Sequence, residues 1–201
     1  MIKNVVFDIG NVLVDFRWRA LMEDLQLPEE TQKIFEKTVF GSPWWGELDH
    51  GIYEEAEILQ HFREDNQDHL DAFNRVWDNR DKLVEPYAYA VQWIERLKQA
   101  GLKVYLLSNY AREIFALHTE CGCFPFLEQV DGKVVSGFVK MVKPNADIYE
   151  HLLGEYGLRS EECVFIDDRE ENVEAARALG MKGIVFESYD QACETLNKLL
   201  V

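Results

Sequence analysis

The 201-residue chain carries 21 Lys and Arg against 37 Asp and Glu, a formal net charge of −16 that argues against nucleic acid and anionic membranes as partners. Hydrophobic residues at 47% and charged residues at 29% exclude a disordered or fibrous class, and the length allows one core with a small inserted lid. No apolar run approaches the roughly 18 residues of a membrane span, and no signal-type h-region follows Met1, so a cytoplasmic protein is expected.

In chain order, Ile2 to Phe7 is a continuous apolar run ending at Asp8. The stretch from Phe16 to Glu85 then offers amphipathic helical segments (Arg17 to Leu25, Glu29 to Phe40, Tyr53 to Phe62, Gln67 to Trp77) and no strand pattern. Within it, Gly41-Ser-Pro-Trp-Trp-Gly46 reads as a turn whose tryptophans anchor the insert, with Asp49 and His50 beside it on a solvated turn. Asp15 and Arg17 fall where the chain enters this insert.

Beyond the insert, strand and helix alternate. Apolar runs at Leu102 to Leu107, Val164 to Ile166 and Gly183 to Phe186 suit strands covered on both faces. Helical patterns at Tyr87 to Ala100, Ala111 to Glu120, Ala146 to Tyr156 and Glu170 to Leu179 each close at or near a glycine, the residue best able to take a left-handed cap. The alternation predicts an α/β fold with a doubly wound parallel sheet, assembled from residues 1–15 and 86–201, with 16–85 as a helical insertion. Cys121, Cys123, Cys163 and Cys193 contain a lone Cys-x-Cys and no second pair, and are expected to be reduced packing residues.

Four polar clusters fall at strand ends or just before a helix: Asp8-Ile-Gly-Asn-Val-Leu13, Ser108-Asn109, Lys143-Pro144, and Asp167-Asp168 followed by Asn172. Each alone has an ordinary explanation as a cap, a turn or surface. Together at the carboxyl edge of one sheet they supply a nucleophilic carboxylate, a hydroxyl, a cation and a carboxylate pair whose hard oxygens suit Mg²⁺.

These clusters resemble the four motifs of the haloacid dehalogenase superfamily, in its order and over essentially the whole chain. Val5-Val-Phe-Asp-Ile-Gly-Asn-Val-Leu13 is similar to the first motif and Leu106-Leu-Ser-Asn109 to the second. Lys143-Pro-Asn-Ala-Asp-Ile-Tyr149 is similar to the third, and Val164-Phe-Ile-Asp-Asp-Arg-Glu-Glu-Asn172 with Ala175-Ala-Arg-Ala-Leu-Gly180 to the fourth. The resemblance implies a Rossmann-like core and makes the insertion a type C1 cap that closes over substrate. It implies a Mg²⁺-dependent phosphatase of a small-molecule phosphate ester in which Asp8 becomes an aspartyl phosphate. Asp8, the Gly10 backbone carbonyl, Asp167 and Asp168 would hold the metal. Ser108, the Asn109 backbone N–H and Lys143 would hold the transferring phosphoryl group, and Asn172 would position a metal-bound water or Lys143.

One departure matters. Phosphatases of the family carry a general acid two residues after the nucleophile, and here that position is Gly10. The missing acid, and a first motif resembling that of C1-capped sugar phosphatases, favour a hexose 1-phosphate, whose anomeric oxygen leaves readily. Asp49 or His50 would be surrogates from the cap. Three alternatives stand beside this reading: a 2-haloacid dehalogenase, which also lacks that acid but typically lacks the Asp167-Asp168 pair; a binding protein that lost turnover with Gly10; and a signalling receiver, whose carboxylate pair precedes its acceptor aspartate, the reverse of the order here.

Overall fold

The computed structural model describes residues 1–200. It begins with β1 (Asn4–Phe7) and β2 (Val14–Phe16), and then an entirely helical stretch. This comprises α1 (Trp18–Asp24), α2 (Glu29–Phe35) running into a π-helical turn over Glu36–Phe40, α3 (Pro43–His50), α4 (Glu55–Asp65) and α5 (Leu70–Asp78). The chain returns through β3 (Val84–Pro86) to α6 (Ala90–Gln99), β4 (Lys103–Ser108), α7 (Arg112–Glu120), β5 (Gly132–Val135) and the short α8 (Ser136–Val139). It ends with α9 (Ala146–Glu155), β6 (Cys163–Asp167), α10 (Glu170–Ala178), β7 (Lys182–Val185) and α11 (Tyr189–Leu200).

Five strands form one sheet in the order β5-β4-β1-β6-β7, with every neighbouring pair parallel. The apolar runs belong inside because side chains alternate between two covered faces. Val5, Phe7, Val104, Leu106, Val164 and Ile166 pack on one side with Trp93 and Ile94 of α6. Val6, Tyr105, Leu107 and Phe165 pack on the other with Ile148, Tyr149 and Leu152 of α9. This is the expected doubly wound α/β fold. The order reverses at β1, whose neighbours β4 and β6 come later in the chain, so the crevice that such a switch opens lies beyond Phe7. The helix-stop glycines Gly101, Gly122, Gly157 and Gly180 all have positive φ, as their placement predicts.

Three elements depart from the sequence reading. β5 is a short edge strand opened by a glycine, too weak a pattern to stand out. β2 and β3 pair antiparallel, Phe16 opposite Val84, and form a two-stranded stem where the insert leaves and rejoins. Gly41 to Gly46 is no turn: Ser42 accepts a hydrogen bond from the Trp44 N–H at 3.3 Å, Pro43 takes the first helical position, and α3 runs on to His50. The insert has its own core, with Leu21, Phe35, Leu48, Phe62, Phe73 and Trp77, which reaches Ala111 and Ile114 at α7.

All four cysteines are free. Cys163 is buried and Cys123 and Cys193 half-buried, but Cys121 is exposed where α7 ends, so the packing role expected of it fails. Among the described residues no helix is long and apolar enough to cross a membrane.

Candidate active site

Asp8 follows β1, Ser108 closes β4, and Asp167 closes β6 with Asp168 next in the chain. The parallel sheet therefore carries these side chains to one edge. Asp8 Oδ1 accepts the Ile9 N–H at 2.7 Å and lies 2.9 Å from Lys143 Nζ. The Ser108 side chain stands beside the Asp8 carboxylate. Burial pushes the Asp8 carboxyl up to about 6; Lys143 draws it down, Asp167 pushes it up, and the bonds from Lys143 and Ser108 lower it again.

Lys143 is buried, and its three N–H donors have three partners: Asp8, Asp167 Oδ2 at 2.6 Å and the Leu107 carbonyl at 3.0 Å. Burial works against its charge, but Asp8 and Asp167 outweigh that cost and raise its pKa. The Asn109 side chain clamps the Lys143 backbone from both directions, its Nδ2 donating to the carbonyl at 2.9 Å and its Oδ1 accepting the N–H at 2.8 Å. That positioning job was not foreseen; sequence reasoning assigned Asn109 only a backbone contact.

Asp167 is fully buried and accepts from Lys143, from the Arg169 N–H at 2.8 Å and from Asn172 Nδ2 at 3.0 Å. Asp168 is half-buried, and its Oδ2 accepts from Asn11 Nδ2 at 3.0 Å. Burial raises its pKa and the Asn11 bond opposes the rise. Asn11, to which the sequence reading gave no role, has φ 55, a left-handed conformation that Asn tolerates better than most residues. It also accepts the Phe16 N–H at 3.3 Å, tying the start of the insert to the Asp168 side of the site.

One oxygen each from Asp8, Asp167 and Asp168 lie within 4.8 Å of one another. Three converging carboxylates form a hard-oxygen donor set of the kind magnesium takes. The buried Asn172 Oδ1, beside them, has no hydrogen-bond partner in the protein, as fits an acceptor reserved for water in a metal's shell. The residues present fit the ion. Gly10 sits at the same cavity wall, and a side chain there would meet nothing within 4 Å.

Above this edge lie two connected spaces that share Asp8, Gly10, Phe16, Trp45, Asp49 and Asn109. The wider, about 680 Å³, opens past Glu47, His50, Lys143, Asp168 and Asn172. The narrower, about 120 Å³, runs inward past Leu83, Val84, Tyr110 and Ile114 and is walled mainly by carbon. Trp45 and Asp49 stand one helical turn apart on α3 and so face the site together. Burial pushes the Asp49 carboxyl up to about 7; the Ala111 backbone N–H lowers it, the charge of Asp8 raises it further, and Lys143 lowers it. His50 lines only the wider space, 3.9 Å from Glu47. Asp15 and Arg17 lie along the stem and line neither space, Arg17 bonding Asp24 at 2.8 Å and the Lys82 carbonyl at 3.2 Å.

Known proteins resemble the chain in sequence or in fold. A sesquiterpene phosphatase of Aspergillus oryzae is 26% identical over 204 residues, 98% of this chain and 96% of that protein. A HAD family enzyme of Bacteroides thetaiotaomicron, solved with magnesium and inorganic phosphate, superposes with a TM-score of 0.71 at 23% identity, over 96% of this chain and 99% of that one. The L-2-haloacid dehalogenase of Xanthobacter autotrophicus, solved with chloropropionic acid covalently bound, gives 0.66 at 18% identity, over 98% and 83%. Both structural likenesses are likenesses of fold. Residues 2–180 match the haloacid dehalogenase-like hydrolases, a span holding β1, the helical insert and all four strand-end clusters, and the chain belongs to that family.

Proposed function

We propose that the protein is a magnesium-dependent phosphatase of small phosphate monoesters in which Asp8 is the nucleophile. The observation that carries this reading is the buried Lys143 bridging Asp8 and Asp167 with Asp168 alongside: a carboxylate nucleophile, a fixed cation and a hard-metal donor set within a few ångströms. Asp8 would attack phosphorus as the ester oxygen departs, and water would then attack the phosphorus of the aspartyl phosphate, releasing inorganic phosphate and restoring the carboxylate. A carboxylate and a phosphate oxyanion at roughly 4 Å repel by about 4 kcal/mol per unit charge pair at an effective dielectric of about 20. Magnesium, held by Asp8, Asp167, Asp168 and the Gly10 carbonyl, would supply the neutralising charge. Ser108, the Asn109 backbone N–H and Lys143 would hold the phosphoryl oxygens, and the Asn109 side chain would keep Lys143 in register.

The leaving group decides the substrate class. We read the narrow, carbon-walled space behind Asp8 as its seat, which favours an alcohol with an apolar skeleton. The full-length relative named as a sesquiterpene phosphatase supports that direction. A hexose 1-phosphate is the second reading, favoured by the wider space with Glu47 and His50 at its rim. The dehalogenase reading finds no use for the second carboxylate of the Asp167-Asp168 pair. We place the protein in the cytoplasm, in keeping with its four free cysteines.

The test is phosphate or halide release from a panel of alkyl and isoprenoid monophosphates, hexose phosphates and 2-haloacids, with Mg²⁺ and with EDTA. Phosphate release that needs Mg²⁺ is expected; halide release in EDTA would replace this reading with the dehalogenase one.

A further inference from the structure

The narrow space presents six polar side chains: Asp8, Asp49, Ser108, Asn109, Tyr110 and His118. Most are already engaged. Both side-chain polar atoms of Asn109 hold the Lys143 backbone, and the Ser108 hydroxyl beside Asp8 does not ionise near neutral pH. His118 Nε2 lies 2.7 Å from the Arg80 carbonyl, which can only accept, so Nε2 carries the ring hydrogen. Nδ1 is then an acceptor, and the Tyr110 hydroxyl donates to it at 2.5 Å. Tyr110 thus has no hydrogen left for a ligand, and the indole N–H of Trp45 does not dissociate near neutral pH. Lys143 is held charged between Asp8 and Asp167, which raise its pKa, so it gives up no proton near neutral pH. Asp49 is what remains.

Its placement is fixed from behind. The Asp49 carbonyl accepts the Ser136 hydroxyl at 2.5 Å, and Ser136 Oγ accepts the Tyr110 N–H at 2.8 Å, which joins α3 to the loop after β4. Two residues on, Gly51 ends α3 with φ 70 against Gly137 of α8; a Cβ on Gly51 would stand 2.6 Å from the Gly137 carbonyl oxygen. Backbone meets backbone there, so the last turn of α3 comes close enough to the sheet edge for its carboxyl to face the site. Gly10, opposite, leaves the wall open.

We propose that Asp49 is a catalytic residue: the insert's general acid and base, acting on the leaving-group oxygen in place of the acid that Gly10 lacks. This rests on the phosphatase reading. In the first step the Asp49 proton passes to the departing ester oxygen as the Asp8–phosphorus bond forms and the ester P–O bond breaks. In the second, the Asp49 carboxylate takes a proton from the water that attacks phosphorus while the Asp8 oxygen leaves, and the protonated residue is restored. Burial that holds the carboxyl protonated to about pH 7 agrees with the role.

The experiment measures kcat/KM with Mg²⁺ for para-nitrophenyl phosphate, a series of ring-substituted phenyl phosphates and an alkyl phosphate, on wild type, Asp49→Asn and Gly51→Ala. In wild type the dependence on leaving-group pKa should be shallow. In Asp49→Asn the alkyl ester should lose about 10²- to 10⁴-fold, the range of a positioned acid, while para-nitrophenyl phosphate loses far less and the dependence steepens. Gly51→Ala, which must push α3 outward, should steepen it in the same sense. A steep dependence in wild type, which needs no variant to fold, overturns the proposal, as does an equal loss on good and poor leaving groups. Absence of any Mg²⁺-dependent phosphate release from wild type overturns the phosphatase reading itself, and is thereby distinguishable.

Discussion

The sheet edge and the insert contribute to the same cavity by opposite means. At the edge, the carboxylates are delivered by strand ends and Lys143 by the loop before α9, and each is locked in place: Asp8 by Lys143, Lys143 by Asp167 and Leu107, Asp167 by Asn172. The insert delivers its residues from α3, eight residues long and placed by contacts far away in sequence, Ser136 to the Asp49 carbonyl and Gly51 against Gly137. A rigid edge suits a step common to all substrates, whereas a face carried on a separate helical layer can change with the leaving group. On this division, edge substitutions should depress every substrate alike and insert substitutions should depress them selectively.

The largest effect expected after loss of the nucleophile is at Asp168. Because it is half-buried and its partner is Asn11, Asp168→Asn should leave Tm nearly unchanged. Activity at fixed Mg²⁺ should fall by more than the about 10- to 100-fold seen for outer-shell partners, and a Mg²⁺ titration should shift to higher concentration. The fall should be the same for alkyl and sugar phosphates; a substrate-dependent fall would blur the division. Trp45→Ala should do the reverse. The ring packs against Phe16 and Phe40, with centroids at 5.7 and 5.0 Å, and walls the narrow space. An apolar ester should lose about tenfold in kcat/KM, equivalent to about 1.4 kcal/mol, and glucose 1-phosphate, whose wider space the ring only borders, should lose less. Loss on the sugar alone would move the leaving group to the wider space.

The smallest effect is on stability in the metal-free protein. The Asp49 carboxyl titrates at about 7 in the fold, above its ordinary 3.8, so the folded state holds this proton more tightly than the unfolded chain. Its contribution is fully present below about pH 4 and is lost as pH rises through 7. Asp49→Asn removes that loss. The variant should match wild type near pH 4 and exceed it by about 1–3 kcal/mol at pH 8, read from denaturant unfolding with EDTA present. Equal stability at both values would mean that the carboxyl is solvated and does not face the closed cavity.

The same division explains what could be read in advance. Asp8, Ser108 and the Asp167-Asp168 pair were legible because each closes an unbroken apolar run, and a parallel sheet must bring such ends to one edge. Lys143 was legible only through its motif, since no strand precedes it directly. The bonds made by Asn11 and the Asn109 side chain join residues 157 and 34 positions apart and leave no local trace. Asp49 stands beside His50 as a surrogate acid in the sequence, but Gly41 and Gly46 around the two tryptophans suggest a turn and hide the helix that separates Asp49 from His50. The competing signal was present: Ser42 before Pro43 is a helix start, and a helix from there sets Trp45 and Asp49 on one face. The sugar-phosphate expectation leaned on the missing acid at Gly10, and an acid returning from α3 removes that reason for an unusually good leaving group.

Nucleophilic catalysis by Asp8 requires a phosphoryl group to reside transiently on its carboxylate. Wild-type protein turning over an alkyl phosphate with Mg²⁺ should be quenched in acid, digested, and its peptides read by mass spectrometry. A phosphoryl adduct is expected on the peptide spanning Asp8, absent after hydroxylamine treatment and absent in Asp8→Asn, whose turnover should fall by several powers of ten. Steady phosphate release with no adduct at Asp8 in wild type, or an Asp8→Asn variant that retains more than about a hundredth of the activity, would contradict it.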